Sequence, residues 1–152
     1  NGYNIYTDGL VVHTTIDSRF QIYAEEAVKE HLESLQKQFT KHIKDREPWK
    51  RDTTMLWDYI RQSERYRLAR LKEKTDKEIW EEFNVPREMS VFSWEGNIDT
   101  TFSPLDSIKY YSRFLETGFV SMDPQTGHIK AWVGGINHEH FKYDHVFKGN
   151  AR

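Results

Sequence analysis

The sequence predicts an α+β fold, with long amphipathic helices, a small antiparallel sheet and a C-terminal β-hairpin. Three observations carry that expectation. Apolar residues recur at helical spacing from Phe20 to about Lys44. A β-branched run stands at Leu10–Ile16 and an alternating run at Met89–Trp94. Near the C-terminus two apolar runs flank Asp123-Pro124-Gln125-Thr126-Gly127. Pro124 presets φ for a type I turn there, and Gly127 can take positive φ to close a bulged hairpin.

In chain order, Asn1–Gly9 is a polar lead-in with turn residues at Thr7-Asp8-Gly9. Leu10–Ile16 reads as a strand, and Asp17 or Ser18 as the N-cap of the helix that follows. That helix has Phe20, Tyr23, Ala24, Ala27, Val28, His31, Leu32, Leu35, Phe39 and Ile43 as its apolar stripe. Its opposite face pairs Glu25 with Lys29 and Glu33 with Lys37 at i,i+4. Asp45–Asp52, with Pro48 and many charges, reads as a loop. A second helix is expected from Thr53 or Thr54 to about Lys74, with Leu56, Tyr59, Ile60, Ser63, Tyr66, Arg67 and Leu71 inward. Thr75-Asp76-Lys77-Glu78 is a capping box opening a short helix that carries Ile79, Trp80 and Phe83 and stops near Asn84, before Pro86. Met89–Trp94 reads as a strand, ended by Glu95-Gly96-Asn97, and pairing with Leu10–Ile16 would make a small sheet. Ser103-Pro104-Leu105-Asp106 starts another helix, with Pro at its first position. It is expected to run to Glu116 or Thr117, with Leu105, Ile108, Tyr111 and Leu115 inward and Gly118 as the C′ residue. The hairpin comes last.

Composition bounds the function. The 152 residues suffice for one domain with a real core. Aromatics reach 14%, too many for a disordered tail, while 30% charged residues and a mean hydropathy of -0.84 make a polar surface. A net charge of -2 gives the surface as a whole no attraction for nucleic acid or anionic lipid. No apolar run is long enough for a membrane helix or a signal peptide. With no Cys there is neither a disulfide framework nor a thiolate nucleophile or zinc ligand.

The wording at the two ends says more. Gly118-Phe119-Val120-Ser121-Met122-Asp123-Pro124-Gln125-Thr126-Gly127-His128-Ile129-Lys130-Ala131-Trp132-Val133-Gly134-Gly135 resembles the strand pair that opens the transpeptidase domain of class A penicillin-binding proteins. Gly9-Leu10-Val11-Val12-His13-Thr14-Thr15-Ile16-Asp17, followed by Phe20-Gln21 and Ala24-Glu25, resembles the segment that links glycosyltransferase and transpeptidase in that family. Ser103-Pro104-Leu105-Asp106-Ser107-Ile108 resembles the approach to its catalytic helix. Order and separation of these blocks fit, and together they cover a little under half of the chain. Asp45–Thr101 reads as an insertion of the linker type.

The resemblance implies a bifunctional cell-wall enzyme. One domain polymerises lipid-linked disaccharide, and the other cross-links stem peptides through an acyl-serine that β-lactams trap. Its signatures are Ser-x-x-Lys, Ser-x-Asn and Lys-Thr-Gly, and none stands here in proper context. The nucleophile is expected about four residues beyond Arg152. The expectation is therefore a non-catalytic piece with no catalytic residue, no cofactor and no metal. It divides into a linker strand and long helix at 1–44, a helical insertion ending in a strand at 45–102, and the transpeptidase edge at 103–152. It would position the two catalytic domains, on the extracytoplasmic face of a membrane reached through an anchor outside this chain. Its partners would be the parent's two domains. The rival expectation is an interaction module, binding an envelope regulator or glycan strands through 45–102.

Five stretches mimic functional sites. Ser34-Leu35-Gln36-Lys37 spells Ser-x-x-Lys but sits midway along a charged helix. Gln125-Thr126-Gly127 mimics Lys-Thr-Gly without the Lys, in a turn. His138-Glu139-His140, with Asp144 and His145, offers metal-ligand types and would centre a metallohydrolase, but lacks helical H-E-x-x-H spacing. Lys41–Arg51, with Trp49, is basic but diluted by Asp45, Glu47 and the adjoining Asp52. Trp57, Tyr59, Trp80, Phe83, Phe92 and Trp94 could stack on sugars, yet their spacing is that of core residues.

Overall fold

Asp17 starts the long helix. Its carboxylate accepts from the backbone N–H of Arg19 at 3.0 Å, and its carbonyl takes the first helical bond from Gln21 at 2.9 Å. This is the work of an N-cap. The computed structural model describes residues 4, 7–44, 46–50 and 53–147. It is α+β, with five α-helices, one short 3-10 helix (Pro48–Lys50) and two two-stranded antiparallel sheets among those residues. The long helix is α1, Ser18–His42. The backbone forms two compact units, His31–Leu115 and a second one made of Asn1–Glu30 with Glu116–Arg152. The long helix contributes its first half to one and its last turns to the other.

In the helical unit, α2 spans Thr54–Gln62 and α3 Glu64–Leu71. A single helix was expected here, and Ser63 splits it. Ser63 is extended (φ -75°, ψ 143°), its hydroxyl donates to Ile60 O at 2.6 Å and accepts from Tyr66 N at 3.2 Å. A serine side chain offers the backbone such alternatives to helical bonding. The break shifts the phase of the buried stripe. Leu56 and Ile60 are buried before it, but Ala69 takes the inner position after it, and Leu71, expected inward, is 69% exposed. Tyr59 is also exposed.

The capping box forms as the sequence predicts. Thr75 and Glu78 exchange bonds at the start of α4, Asp76–Phe83, which buries Ile79 and Phe83. The strand expected at Met89–Trp94 is β1, Arg87–Val91, and its partner is β2, Ile98–Phe102, in the register Arg87↔Phe102 to Val91↔Ile98. Gly96 closes the turn at φ 124°. Phe92 leaves the ladder because tyrosine hydroxyls satisfy its backbone: its N–H donates to Tyr111 Oη at 3.1 Å and its C=O accepts from Tyr110 Oη at 2.7 Å. Helix α5, Pro104–Tyr111, begins with a second capping box, Ser103 and Asp106. Such a cap stabilises by about 1 kcal/mol.

Helix α5 stops at Tyr111, well short of the expected Glu116. Buried Gln36 of α1 claims the backbone beyond it: its side-chain amide donates to Arg113 O at 2.9 Å and accepts from Leu115 N at 2.8 Å. The core of this unit is Leu56, Ile60, Ala69, Ile79, Phe83 and Leu105, with Trp57 and Trp80 packed against it.

In the hairpin unit, β3 (Phe119–Met122) pairs with β4 (Ile129–Val133), with a register shift between Ser121 and Met122. The turn is the expected one. Asp123 accepts from the N–H groups of Gln125 and Thr126, and Gly127 stands at φ 72°. The first half of α1 lies on β4, Ala24 meeting Ala131 and Val133 beside Val28. Gln21 completes the strand as a neighbouring strand would: its side chain accepts from Trp132 N at 2.8 Å and donates to Trp132 O at 3.0 Å.

No strand forms over Leu10–Ile16, contrary to expectation. Thr15 donates from its hydroxyl to Ile129 O and Asp17 from its N–H to Lys130 O, while Val11 and Val12 are 82% and 76% exposed. β-propensity expresses fit to a pleated, half-buried surface, and these valines have none.

Candidate functional site

A polar cluster of the hairpin unit gathers where β4 leaves the sheet. Three elements build it: the segment Glu116–Gly118 ahead of β3, the Gly134-Gly135 pair after β4, and the return of the chain at Tyr143–Phe147. Asp144 is its fastener. One carboxylate oxygen accepts from Val146 N at 2.9 Å and Phe147 N at 3.2 Å, and the other from the Trp132 indole Nε1 at 2.9 Å. Burial raises the pKa of this carboxyl, but the indole and the two amides outweigh it and hold it below its ordinary value. The backbone N–H of His145 donates to Gly134 O at 2.7 Å.

Two glycines leave room for the clasp. A Cβ on Gly134 would lie 2.7 Å from the Asp144 carboxylate, and one on Gly118 would lie 2.7 Å from the backbone of His145 and Val146. Gly118 was expected as a helix C′ residue in the left-handed region, but its φ is not positive and no helix ends there. Its value is close approach.

Glu116 lies under the same return. Burial pushes its carboxyl up to about 7, although the backbone N–H of Ile136 draws it partly back. His145 Nε2 stands 3.5 Å from Glu116 Oε2, and the His145 ring packs edge-on to Tyr143 at 4.7 Å between centroids. Among the described residues, that Glu116 oxygen is buried without a hydrogen-bond partner. The folded pKa lies above the unfolded one, so the folded chain binds a proton that the unfolded chain gives up. Glu116 therefore favours the folded state fully below about pH 4.5, and that contribution is lost as pH rises to about 7. Amides of residues 134–146 are expected to exchange faster, relative to the intrinsic rate, at pH 8 than at pH 5.5. Glu116→Gln should flatten that difference; an unchanged pH dependence in the variant would refute the assignment to Glu116.

The mimics of functional sites resolve as follows. Ser34 is exposed on α1, and the Lys37 ammonium binds Glu33 at 2.6 Å. Gln125-Thr126-Gly127 forms the hairpin turn. His138 and Glu139 are exposed, and Asn137 Oδ1 accepts from the backbone N–H groups of Glu139 and His140, which makes this stretch a turn. Among the described residues no three His, Asp or Glu side chains gather as a metal site. In the basic stretch, Asp45 and Arg51 lie outside the described residues. Lys50 pairs with Glu47, and the Arg113 guanidinium covers the Trp49 ring at 5.0 Å. Of the aromatics, Trp57 and Trp80 stack at 5.4 Å against the core, Phe83 is in it, and buried Phe92 meets Trp94 edge-on. Sequence reasoning missed Gln21, Gln36 and Asp144 as organisers. The first two were findable, because Gln21, Ala24, Val28, Leu32 and Gln36 repeat at three and four residues along one face.

Residues 44–115 match the family model of the penicillin-binding protein middle domain. No curated protein and no solved structure matches the chain. The match falls on the stretch read as an inserted linker. The motifs at the two ends and the match between them agree on a penicillin-binding protein linker region.

Proposed function

We propose that this chain, which carries a penicillin-binding protein middle domain at residues 44–115, joins that domain to the first elements of a transpeptidase domain in a bifunctional peptidoglycan synthase. It would act as a non-catalytic scaffold that positions the two catalytic domains. The observation that carries the reading is the hairpin unit. Its Gly-x-Val-x-x-Asp-Pro-x-Thr-Gly wording folds into a bulged β3–β4 hairpin backed by α1, with Phe119, Val120 and Met122 exposed. A strand pair with exposed apolar residues suits a seat for further sheet. The extracytoplasmic location follows from the same reading. No helix of the described residues is long and apolar enough to cross a membrane, so attachment would come from elsewhere in the parent.

Intact-mass spectrometry after exposure to benzylpenicillin tests this. The 152-residue chain should gain no adduct, and a version lengthened through the downstream parent sequence should gain one acyl group. An adduct on the short chain would refute the scaffold role. Absence of an adduct on both would refute the transpeptidase reading.

A further inference from the structure

The middle domain has a cavity of about 180 Å³ between α3, α4, the start of β1 and the start of α5. Its floor is apolar, formed by Ala69, Phe83 and Pro104, all buried. The rim is cationic: Arg65, Lys72, Lys74 and Arg87 line it against one carboxylate, Glu82. Glu82 already binds Lys74 at 2.5 Å and Arg87 at 3.2 Å, which fixes that side of the mouth. Among the described residues, the Arg65 and Lys72 side chains have no acidic partner. This local excess of positive charge stands out in a chain whose net charge is -2.

Size decides what fits. Pockets for whole small molecules run to about 300–1,000 Å³, so this one is too small for a disaccharide or a drug-sized ligand. It is close to the roughly 150 Å³ that accepts a benzene, which is the scale of one apolar side chain. Arg65 in the first turn of α3 and Lys72 at its C-cap are seven residues apart, about 10 Å along the helix axis. An extended chain covers that distance in about three residues. Leu68, itself 46% exposed, lies between them at the mouth.

We infer that this cavity is a docking site for an acidic protein segment, in which acidic residues flank a single apolar side chain that enters the floor. The cations supply charge-assisted bonds to the carboxylates and steer the encounter, and the buried anchor supplies the rest. This inference is independent of whether the hairpin unit seats a transpeptidase.

Titration of the isotope-labelled 152-residue chain with acetyl-Gly-Glu-Glu-Leu-Glu-Glu-Gly-amide, followed by NMR, tests it. Saturable shifts are expected at Leu68, Ala69 and Phe83, weakening as salt is added. Affinity should fall about tenfold or more in Arg65→Glu/Lys72→Glu, and similarly when the peptide's Leu is replaced by Ser. Both substituted positions are exposed, and circular dichroism of the variant checks that its fold is kept. Leu68→Asp is a second variant, also expected to weaken binding. Three results would overturn the inference: no saturable shift, equal affinity for the variants, or equal affinity for the Ser peptide. A soluble wall stem peptide that saturates the site where the acidic peptide does not would assign it to peptidoglycan instead.

Discussion

Truncating Ile60 or Ile79 to Ala is expected to destabilise the helical unit by about 3 kcal/mol each. Both side chains are fully buried, and they bring α2 and α4 together in one cluster with Leu56, Ala69, Phe83 and Leu105. Removing the Ile side chain beyond Cβ loses its transfer free energy and leaves a void that neighbours fill only in part. A unit of this size holds on the order of 5–15 kcal/mol in total, so one truncation removes a large fraction of it. Urea unfolding monitored by amide exchange in α2 and α4 measures the loss. Tyr59→Ala is the control: Tyr59 precedes Ile60 in the chain but is exposed, and its loss should cost within about 0.5 kcal/mol. Equal effects at Tyr59 and Ile60 would mean that the buried face of α2 has been placed wrongly.

Tyr59 and Ile60 also mark the limit of what periodicity can deliver. Both were placed on one apolar stripe, yet neighbours on a helix point about 100° apart, and of the two only Ile60 faces the core. Where local chemistry and pattern agreed, the reading held. The Thr75/Glu78 and Ser103/Asp106 boxes start helices as expected, and Asp123-Pro124 with Gly127 makes the hairpin turn. Where a distant side chain competed for the backbone, it failed. Gln36 ends the run after α5 from far along the chain, and the tyrosine hydroxyls of α5 take Phe92 out of its strand. Those bonds are tertiary: the place of Gln36 on the inner face of α1 can be read from spacing, but the backbone it binds cannot. Leu10–Ile16 failed for the opposite reason, since its β-branched residues had no surface to lie on. The family resemblance was carried by wording at the two ends, while the stretch that matches the family model offered the sequence reading only helices and aromatics.

Asp144→Ala is expected to open the return segment after β4, at a cost of about 2–3 kcal/mol. Three donors lose their acceptor at once: the amides of Val146 and Phe147 and the indole of Trp132. Hydrogen bonds to a carboxylate contribute more than neutral ones, and this site is half-buried, which weakens replacement by water. The folded pKa of Asp144 is depressed, so its contribution is present above the unfolded value of 3.8 and is lost only as pH falls through the lower folded value. At neutral pH the clasp is fully formed, in the range where Glu116 has begun to oppose it. The readouts are faster exchange at Val146 and Phe147 and a shifted Trp132 indole proton. Gly134→Ala should produce the same two signatures with Asp144 intact, because its Cβ would occupy the space of the carboxylate. If Gly134→Ala left both signals in place, the carboxylate would have to be held by something other than its fit against β4. Agreement between the two variants would tie the path of residues 143–147 to one acid and one missing side chain.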